Sequence, residues 1–278
     1  MDGDVLSVPV VVELDSVPDV LVALESVADL PDVVLLESRI DREEVSRYSF
    51  LVADPVEFVD DTEPATGVDP FGRLRELLDP FRTDRVAGLP PFQGGVVGLL
   101  GYELGAAWET VPRSPHDEFA LPVLAAGVYD RVLAWDHVLG RAWIISQGFP
   151  ETDLQARRQR AEQRAGELLS RLETFDQPVG ASVEPPPAPL DPEQLAPLWP
   201  VDGHDGLFSD FSREAYLEAV ARVIEYIHAG DIFQANLSQR LLARQPAPAR
   251  ELYARLRQRN PAPFAGYMAH ADWEIVSA

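Results

Sequence analysis

The chain has 278 residues, a formal net charge of −23 and no cysteine, and all 23 of its basic residues are arginine. The charge excludes a nucleic-acid groove, which needs clustered cations, and the missing cysteine and lysine exclude disulfides, thiolate zinc sites and cysteine or lysine catalysis. Because it shows neither an apolar run of about 18 residues nor a signal-like N-terminus, we expect a cytoplasmic protein without membrane or nucleic-acid partners. Its length predicts roughly two domains.

Residues 1–175 are predicted to form the first domain, with strands where β-branched runs occur and helices where apolar residues recur every 3.6 positions. In chain order these are a strand at Val8–Leu14, a helix at Asp19–Ala28, strands at Asp32–Ser38 and Arg47–Pro55, a short helix at Phe71–Pro80, a hairpin within Gly127–Ile145 and a charged helix at Asp153–Glu173.

The glycine-rich stretch Gly94–Gly105 invites comparison with a nucleotide-binding loop. Its glycines at 94, 95, 98 and 101 miss the GxGxxG spacing, and no GK[ST] follows. We interpret the glycines as letting a strand pack closely against another backbone. The five histidines are scattered without metal-ligand spacing.

Residues 176–206 are predicted to be a proline-rich linker, because eight prolines between 178 and 200 leave no room for a helix or a central strand. A second domain, residues 207–278, begins with a helix that Ser212 caps and Gly230 ends. One apolar stripe runs along this helix, formed by Tyr216, Leu217, Val220, Val223, Ile224 and Ile227.

The stretch after this helix, Gly230–Arg240, is predicted to be a strand with one apolar and one polar face. A helix at about 250–259 and two strands within 264–278 follow, and the chain stops inside the last of them. So few elements cannot bury the stripe well. We therefore expect the sequence to be truncated.

Several motifs together resemble the chorismate-utilising enzymes. "YIHAGDIFQANLSQR" and "RNPAPFAGYM" resemble the start of their chorismate-binding domain, and "LLES", "RYSFLVADP", "GGVVGLLGYELG" and "YDRVLAWDH" resemble, in this order, the N-terminal domain of anthranilate synthase component I and aminodeoxychorismate synthase component I. The resemblance implies an α+β fold of antiparallel sheets with flanking helices, incomplete at its C-terminal end. It also implies a glutamine amidotransferase partner that supplies ammonia.

In this family the catalytic domain continues well past the position that corresponds to Ala278. The resemblance therefore implies that the ligands for chorismate and Mg²⁺ lie beyond the chain end, and that this fragment contains no catalytic residue and is inactive alone.

By the resemblance, Gln234 matches the position at which isochorismate and salicylate synthases have a lysine that activates water. A neutral amide cannot act as a general base near pH 7, so the resemblance favours the aminating branches. Gln234 and Asn236 then either line the substrate cavity or cap loops and face solvent. The "NPAPF" of residues 260–264 resembles aminodeoxychorismate synthase, a transferase of folate biosynthesis. Anthranilate synthase component I, which tends to read "NPSPYM", is the alternative.

The aminating branches also contain a tryptophan pocket. The matching residues here are Ser38, Val45, Ser46, Arg47, Tyr48, Pro263, Phe264 and Ala265. Ser38 could bind the ammonium or carboxylate of the ligand, whereas Ala265 replaces the usual methionine. Two alternatives stay open: an ordinary domain interface at these residues, and a free-standing amino-acid-binding module without catalysis.

Overall fold

The computed structural model describes residues 9–38, 46–63, 65–110, 112, 116–117, 119–175 and 195–278. Contacts divide these residues into two compact units. The first contains the described residues up to 112 together with 122–175 and 247–278, and the second contains those of 116–121 and 195–246. Most of the predicted linker lies outside the described residues. Residues 247–278, which the sequence groups with 207–278, belong to the first unit.

The described strands are short, and the α-helices range from 7 to 21 residues. The strands are β1 (Val10–Glu13), β2 (Val34–Glu37), β3 (Tyr48–Val52), β4 (Glu57–Asp61), β5 (Gly95–Leu100), β6 (Leu124–Tyr129), β7 (Arg131–Asp136), β8 (Arg141–Ser146), β9 (Trp199–Pro200), β10 (Leu207–Ser209), β11 (Leu241–Ala243), β12 (Ala265–His270) and β13 (Trp273–Ser277). The helices are α1 (Val20–Ser26), α2 (Gly72–Leu78), α3 (Leu154–Thr174), α4 (Arg213–Ala229) and α5 (Ala249–Arg259). None of these helices is both long enough and apolar enough to cross a membrane.

The first unit is built on a seven-stranded antiparallel sheet in the order β1-β8-β7-β3-β2-β12-β13. Side chains alternate between its faces. Leu133 and Trp135 of β7 join α1, α3 and α5 in one apolar cluster, while Val132 and Ala134 join the small antiparallel sheet β4-β6-β5 in another. The predicted α+β class, with antiparallel sheets and flanking helices, is confirmed.

The predicted hairpin within Gly127–Ile145 forms between β7 and β8, but its first residues belong elsewhere. Gly127 and Tyr129 lie in β6, which pairs with β4 and β5 of the small sheet. The change of sheet falls at Asp130, whose fully buried carboxylate accepts a 3.0 Å hydrogen bond from Arg164 of α3. A charge pair with a residue 34 positions away cannot be seen in the local pattern.

The interpretation of the glycine-rich stretch as a site of close backbone approach is confirmed at Gly98 of β5. A Cβ atom added there would lie 2.1 Å from the carbonyl oxygen of Ala125 and 2.5 Å from the Cα atom of Ala126. Both neighbours are backbone atoms of β6, so neither can rotate away.

Gly98→Ala is therefore expected to lower the free energy of unfolding by about 1–3 kcal/mol, the usual cost of overpacking a rigid site. Gly166→Ala is the matched control, because an added Cβ in the middle of α3 meets no atom within 4 Å. Alanine suits a helix better than glycine, so the control should raise stability by about 0.5–1 kcal/mol. Urea denaturation of both variants checks the pair, and a stable Gly98→Ala protein would contradict the packing described for β5.

In the second unit, α4 begins and ends where the sequence predicts. The hydroxyl of Ser212 accepts a 3.1 Å hydrogen bond from the backbone N–H of Ala215, and Gly230 adopts the left-handed conformation at the C-terminus. The helix has no buried residue. Three members of its apolar stripe, Leu217, Ile224 and Ile227, are 49%, 48% and 39% exposed.

The predicted strand over Gly230–Arg240 is wrong. Residues 232–240 have no strand conformation, and only Leu241–Ala243 pair, with β10 in the small sheet β11-β10-β9. Alternating apolar and polar residues form a strand only if a neighbouring strand hydrogen-bonds to their backbone N–H and C=O groups. The segment is instead tied at its far end, where the backbone N–H of Arg240 donates to the carboxylate of Asp210 at 2.9 Å. Phe233 is fully exposed.

Candidate functional site

The described residues of the first unit line an open cavity of about 810 Å³ beside the large sheet. Strands β2, β3, β12 and β13 supply one wall, and β5 of the small sheet supplies part of the other. The lining residues are Val34, Leu36, Glu37, Ser38, Arg47, Tyr48, Phe50, Gly98, Leu99, Phe264, Ala265, Gly266, Tyr267, Met268, Ile275 and Ser277. This volume is in the range of small-molecule sites.

The cavity wall is mainly apolar. Val34, Phe50 and Met268 occupy the sheet face that packs against the small sheet, and their cluster ends at the cavity. Leu36 and Phe264 at the edge remain 46% and 77% exposed. An apolar wall beside a few polar groups suits a small ligand with a flat or bulky apolar part and a polar end.

Ser38 is one of the polar lining residues, and its hydrogen bonds limit what it can do. Its hydroxyl donates to the carbonyl oxygen of Pro263 at 2.9 Å, and its backbone N–H donates to the Ser49 hydroxyl oxygen at 3.1 Å. With its proton committed to Pro263, the Ser38 oxygen can still accept a hydrogen bond. It is therefore suited to an N–H group such as an ammonium.

Arg47 contributes the positive charge of the lining. Its Nε and Nη2 atoms both donate to Oδ2 of Asp136, at 3.0 and 2.7 Å. The hydrogen bonds that Arg47 donates to Asp136 raise the pKa of Arg47 above its ordinary value. The guanidinium is therefore a permanent cation at the edge of the cavity.

Asp136 is held ionised by the same contacts. Burial by itself would raise the pKa of Asp136, but the hydrogen bonds from Arg47 and from the backbone N–H groups of Leu139 and Val138 outweigh burial, so the pKa is lowered. Because the pKa of Asp136 is lower in the folded than in the unfolded protein, its ionisation stabilises the fold at pH values above the ordinary aspartate pKa of about 3.9. This stabilisation is lost as the pH falls from there through the pKa of the folded protein.

Glu37 is the last residue of β2 and directly precedes Ser38, and both of its carboxylate oxygens accept hydrogen bonds. Its side chain is 1% exposed and accepts hydrogen bonds from the hydroxyl of Tyr253 at 2.7 Å and from Nε of Arg257 at 2.8 Å. Nη2 of Arg257 donates to the other oxygen. Glu37 therefore joins β2 to α5, and the charge of its buried carboxylate is matched by Arg257.

The structure brings together most of the residues predicted for the tryptophan pocket. Ser38, Arg47, Tyr48, Phe264 and Ala265 line the cavity, and the carbonyl of Pro263 binds Ser38. Ser46 is buried beside them without lining the cavity, and its hydroxyl has no hydrogen-bond partner among the described atoms. Val45 lies outside the described residues. Their binding of a ligand stays a prediction.

The predicted substrate residues lie elsewhere. Gln234 and Asn236 belong to the second unit and are exposed in the segment that lacks strand conformation. Their role with chorismate stays a prediction. No three acidic or histidine side chains converge on a metal position in the part of the chain that the structure describes. The magnesium site stays a prediction.

Sequence reasoning missed two kinds of residue at this site, namely part of the apolar cavity wall and Asp136, which binds Arg47 without lining the cavity. The apolar wall of Leu36, Phe50 and Met268 follows from the two-residue period of strands once the cavity is known. Asp136 lies in the motif "YDRVLAWDH" but had no predicted role. An aspartate before a turn can be recognised in the sequence as a turn residue. Its pairing with Arg47, 89 positions away, cannot be recognised there.

The sequence profile described as "chorismate binding enzyme" matches residues 32–278. The chain belongs to this family. Among its relatives, anthranilate synthase component 1 of Thermus thermophilus is 34% identical over 216 residues, which cover 74% of this chain and 42% of the relative. Aminodeoxychorismate synthase component 1 of Escherichia coli is 29% identical over 261 residues, covering 89% of this chain and 50% of the relative.

The fold of this family member is also that of a solved relative. The crystal structure of anthranilate synthase component I from Streptococcus pneumoniae superposes with a TM-score of 0.61 at 21% identity, covering 83% of this chain and 49% of that one. The predicted anthranilate synthase component I-like fold is thereby confirmed. The chain spans about half the length of the curated relatives it matches.

Proposed function

We propose that the protein is component I of aminodeoxychorismate synthase, which aminates chorismate to 4-amino-4-deoxychorismate for 4-aminobenzoate and folate biosynthesis. A glutamine amidotransferase partner releases ammonia, whose nitrogen forms the new C–N bond as the ring C–O bond breaks and the hydroxyl leaves as water. Membership of the family and relatives with this name support the proposal. The observation that carries it is "NPAPF" at residues 260–264, whose Phe264 forms part of the cavity wall.

The residue at one position of the family supports an aminating reaction over attack of water on the ring. The position that resembles the water-activating lysine of other branches holds Gln234, and a neutral amide cannot deprotonate water near pH 7. We place the magnesium ligands in sequence that the relatives have and this chain does not span. When bound, the ion would hold the chorismate carboxylate and assist departure of the hydroxyl.

The cavity is proposed to bind an amino acid, with tryptophan as the first candidate. Ser38 can accept from an ammonium, Arg47 can donate to a carboxylate, and the apolar wall suits an indole ring. Every lining residue belongs to the first unit. That observation also favours the alternative of a regulatory amino-acid-binding module without chemistry.

Anthranilate synthase component I is the second candidate. The relatives of this name from Thermus thermophilus and Streptomyces coelicolor are each 34% identical to the chain, against 29% for the aminodeoxychorismate synthase of Escherichia coli.

Product identity decides between these functions. The protein expressed from its complete reading frame is incubated with chorismate, Mg²⁺ and ammonium, and the products are separated and identified by mass. We expect 4-amino-4-deoxychorismate, which keeps the enolpyruvyl chain. Anthranilate with released pyruvate would assign the second candidate. If no product forms with either ammonium or a glutaminase, the non-catalytic amino-acid-binding module is the function that remains. The 278-residue chain alone is expected to leave chorismate unconverted.

A further inference from the structure

Asp136, the last residue of β7, and His137 after it support two polar residues of the cavity, Arg47 directly and Ser38 through Ser49. Asp136 uses its two carboxylate oxygens differently: Oδ1 accepts from the backbone N–H groups of Val138 and Leu139 at 3.1 and 3.0 Å, and Oδ2 accepts from Arg47. Its side chain is only 3% exposed. One buried carboxylate therefore accepts hydrogen bonds both from the backbone of the turn and from a side chain that lines the cavity.

Arg47 is fixed at both its main chain and its side chain. Its carbonyl oxygen accepts a 2.8 Å hydrogen bond from the backbone N–H of His137. Its guanidinium lies over the ring of Tyr48, with Cζ 5.0 Å from the ring centroid. Because Asp136 takes the Nε–Nη2 edge, the Nη1–Nη2 end of the fork is left for another acceptor. Arg47 lines the cavity and is 42% exposed.

The same turn supports the second polar residue through one intermediate. Ser49 is fully buried, and its hydroxyl oxygen lies 2.7 Å from Nε2 of His137 and 3.1 Å from the backbone nitrogen of Ser38. Asp136 thus holds Arg47, the proposed donor to a ligand carboxylate. His137 holds Ser38, the proposed acceptor from a ligand ammonium, through Ser49.

We propose that Asp136 is a positioning residue of the cavity, holding the guanidinium of Arg47 so that its free end binds the carboxylate of an amino-acid ligand. This inference rests on the proposed amino-acid pocket. The physical reason is preorganisation: arginine loses less side-chain freedom on binding if its fork is already held, and its planar donors match a carboxylate. Asp136 itself touches no ligand.

The test compares tryptophan with tryptamine, which has the same ring and ammonium but no carboxylate, by calorimetry on the purified chain. In Asp136→Asn the amide oxygen can still accept from the turn, while an NH₂ group faces Arg47. We expect the Kd for tryptophan to rise about tenfold or more, since charge-assisted contacts are the strong ones, and the Kd for tryptamine to change less than about twofold.

Further variants separate positioning from a purely structural role. Arg47→Met should weaken tryptophan binding at least as much as Asp136→Asn, and the double variant should be no weaker than Arg47→Met alone, because Asp136 acts only through Arg47. Glu13→Gln is the matched control. It breaks the exposed pair of Glu13 with Arg141, the β8 residue opposite Asp136, and should leave both affinities unchanged.

Each outcome has a defined meaning. Equal losses for tryptophan and tryptamine, or unchanged tryptophan binding in Asp136→Asn, overturn the positioning role. If Asp136→Asn does not fold, Arg47→Lys replaces it. Lysine keeps the charge but lacks the fork, so tryptophan binding should fall about tenfold, and an unchanged Kd overturns the proposal. If the wild-type chain binds neither ligand, the amino-acid pocket itself fails, and the positioning role falls with it.

Discussion

Glu37→Gln is expected to lower the free energy of unfolding by about 3–5 kcal/mol, the usual result of removing one partner of a buried ion pair. Glutamine has the same size but no charge, and it would leave the guanidinium of Arg257, whose side chain is 7% exposed, without its counter-ion. In the folded protein, burial tends to lower the pKa of Arg257, and the contacts with Glu37 more than reverse this. A loss of this size is a large part of the about 5–15 kcal/mol that a domain has.

Two control variants show whether the charge is responsible. Tyr253→Phe removes only the hydroxyl hydrogen bond to Glu37 and should cost about 1 kcal/mol. Glu251→Gln breaks an exposed pair with Arg255 on the same helix and should change stability by less than about 0.5 kcal/mol. Replacing both Glu37 and Arg257 by methionine should recover much of the loss, since an apolar pair leaves no buried charge unmatched.

Urea denaturation followed by circular dichroism measures all four proteins. A Glu37→Gln protein within about 1 kcal/mol of wild type would contradict the buried pair. The result also bears on the cavity, because Glu37 lies directly before Ser38 and its contacts fix the end of β2 against α5.

Trp135→Ala is expected to have an effect of similar size, about 3–5 kcal/mol, as is usual for deleting a buried aromatic side chain. Trp135 is 1% exposed within the cluster formed by α1, α3 and α5 against the large sheet. Its Nε1–H donates to the carbonyl oxygen of Pro18 at 3.0 Å. Deletion leaves a cavity in a rigid core and removes the hydrogen bond to the half-buried Pro18 carbonyl.

Trp108→Ala is the matched control for Trp135→Ala, because Trp108 is 57% exposed and its described ring contact is with Phe71, 6.0 Å between centroids. It should change stability by less than about 1 kcal/mol. Trp135→Phe keeps most of the volume and tests the hydrogen bond to Pro18 separately. Similar losses for Trp135→Ala and Trp108→Ala in chemical denaturation would show that the packing around Trp135 is not as described.

Elements whose signals lie within a few residues were predictable from the sequence. The N-cap at Ser212 and the left-handed stop at Gly230 act on backbone groups one turn away, so α4 was predicted to the residue. The hairpin of β12 and β13 and the close approach at Gly98 also follow from local composition. The motifs "LLES", "RYSFLVADP" and "RNPAPFAGYM" contain the five of the eight predicted pocket residues that line the cavity.

Features that depend on distant partners were decided only by the tertiary structure. The stretch 232–240 alternates like a strand, yet in the described residues no strand forms a ladder with it, and alternation alone does not hold an extended backbone. The charge pairs Glu37 with Arg257 and Arg47 with Asp136 join residues 220 and 89 positions apart. Sequence by itself determined the local elements, the family and the apolar faces, because these depend on near neighbours. Tertiary structure decided which carboxylates are consumed by arginines and which polar atoms still face the cavity, because that depends on how the strands are ordered in the sheet.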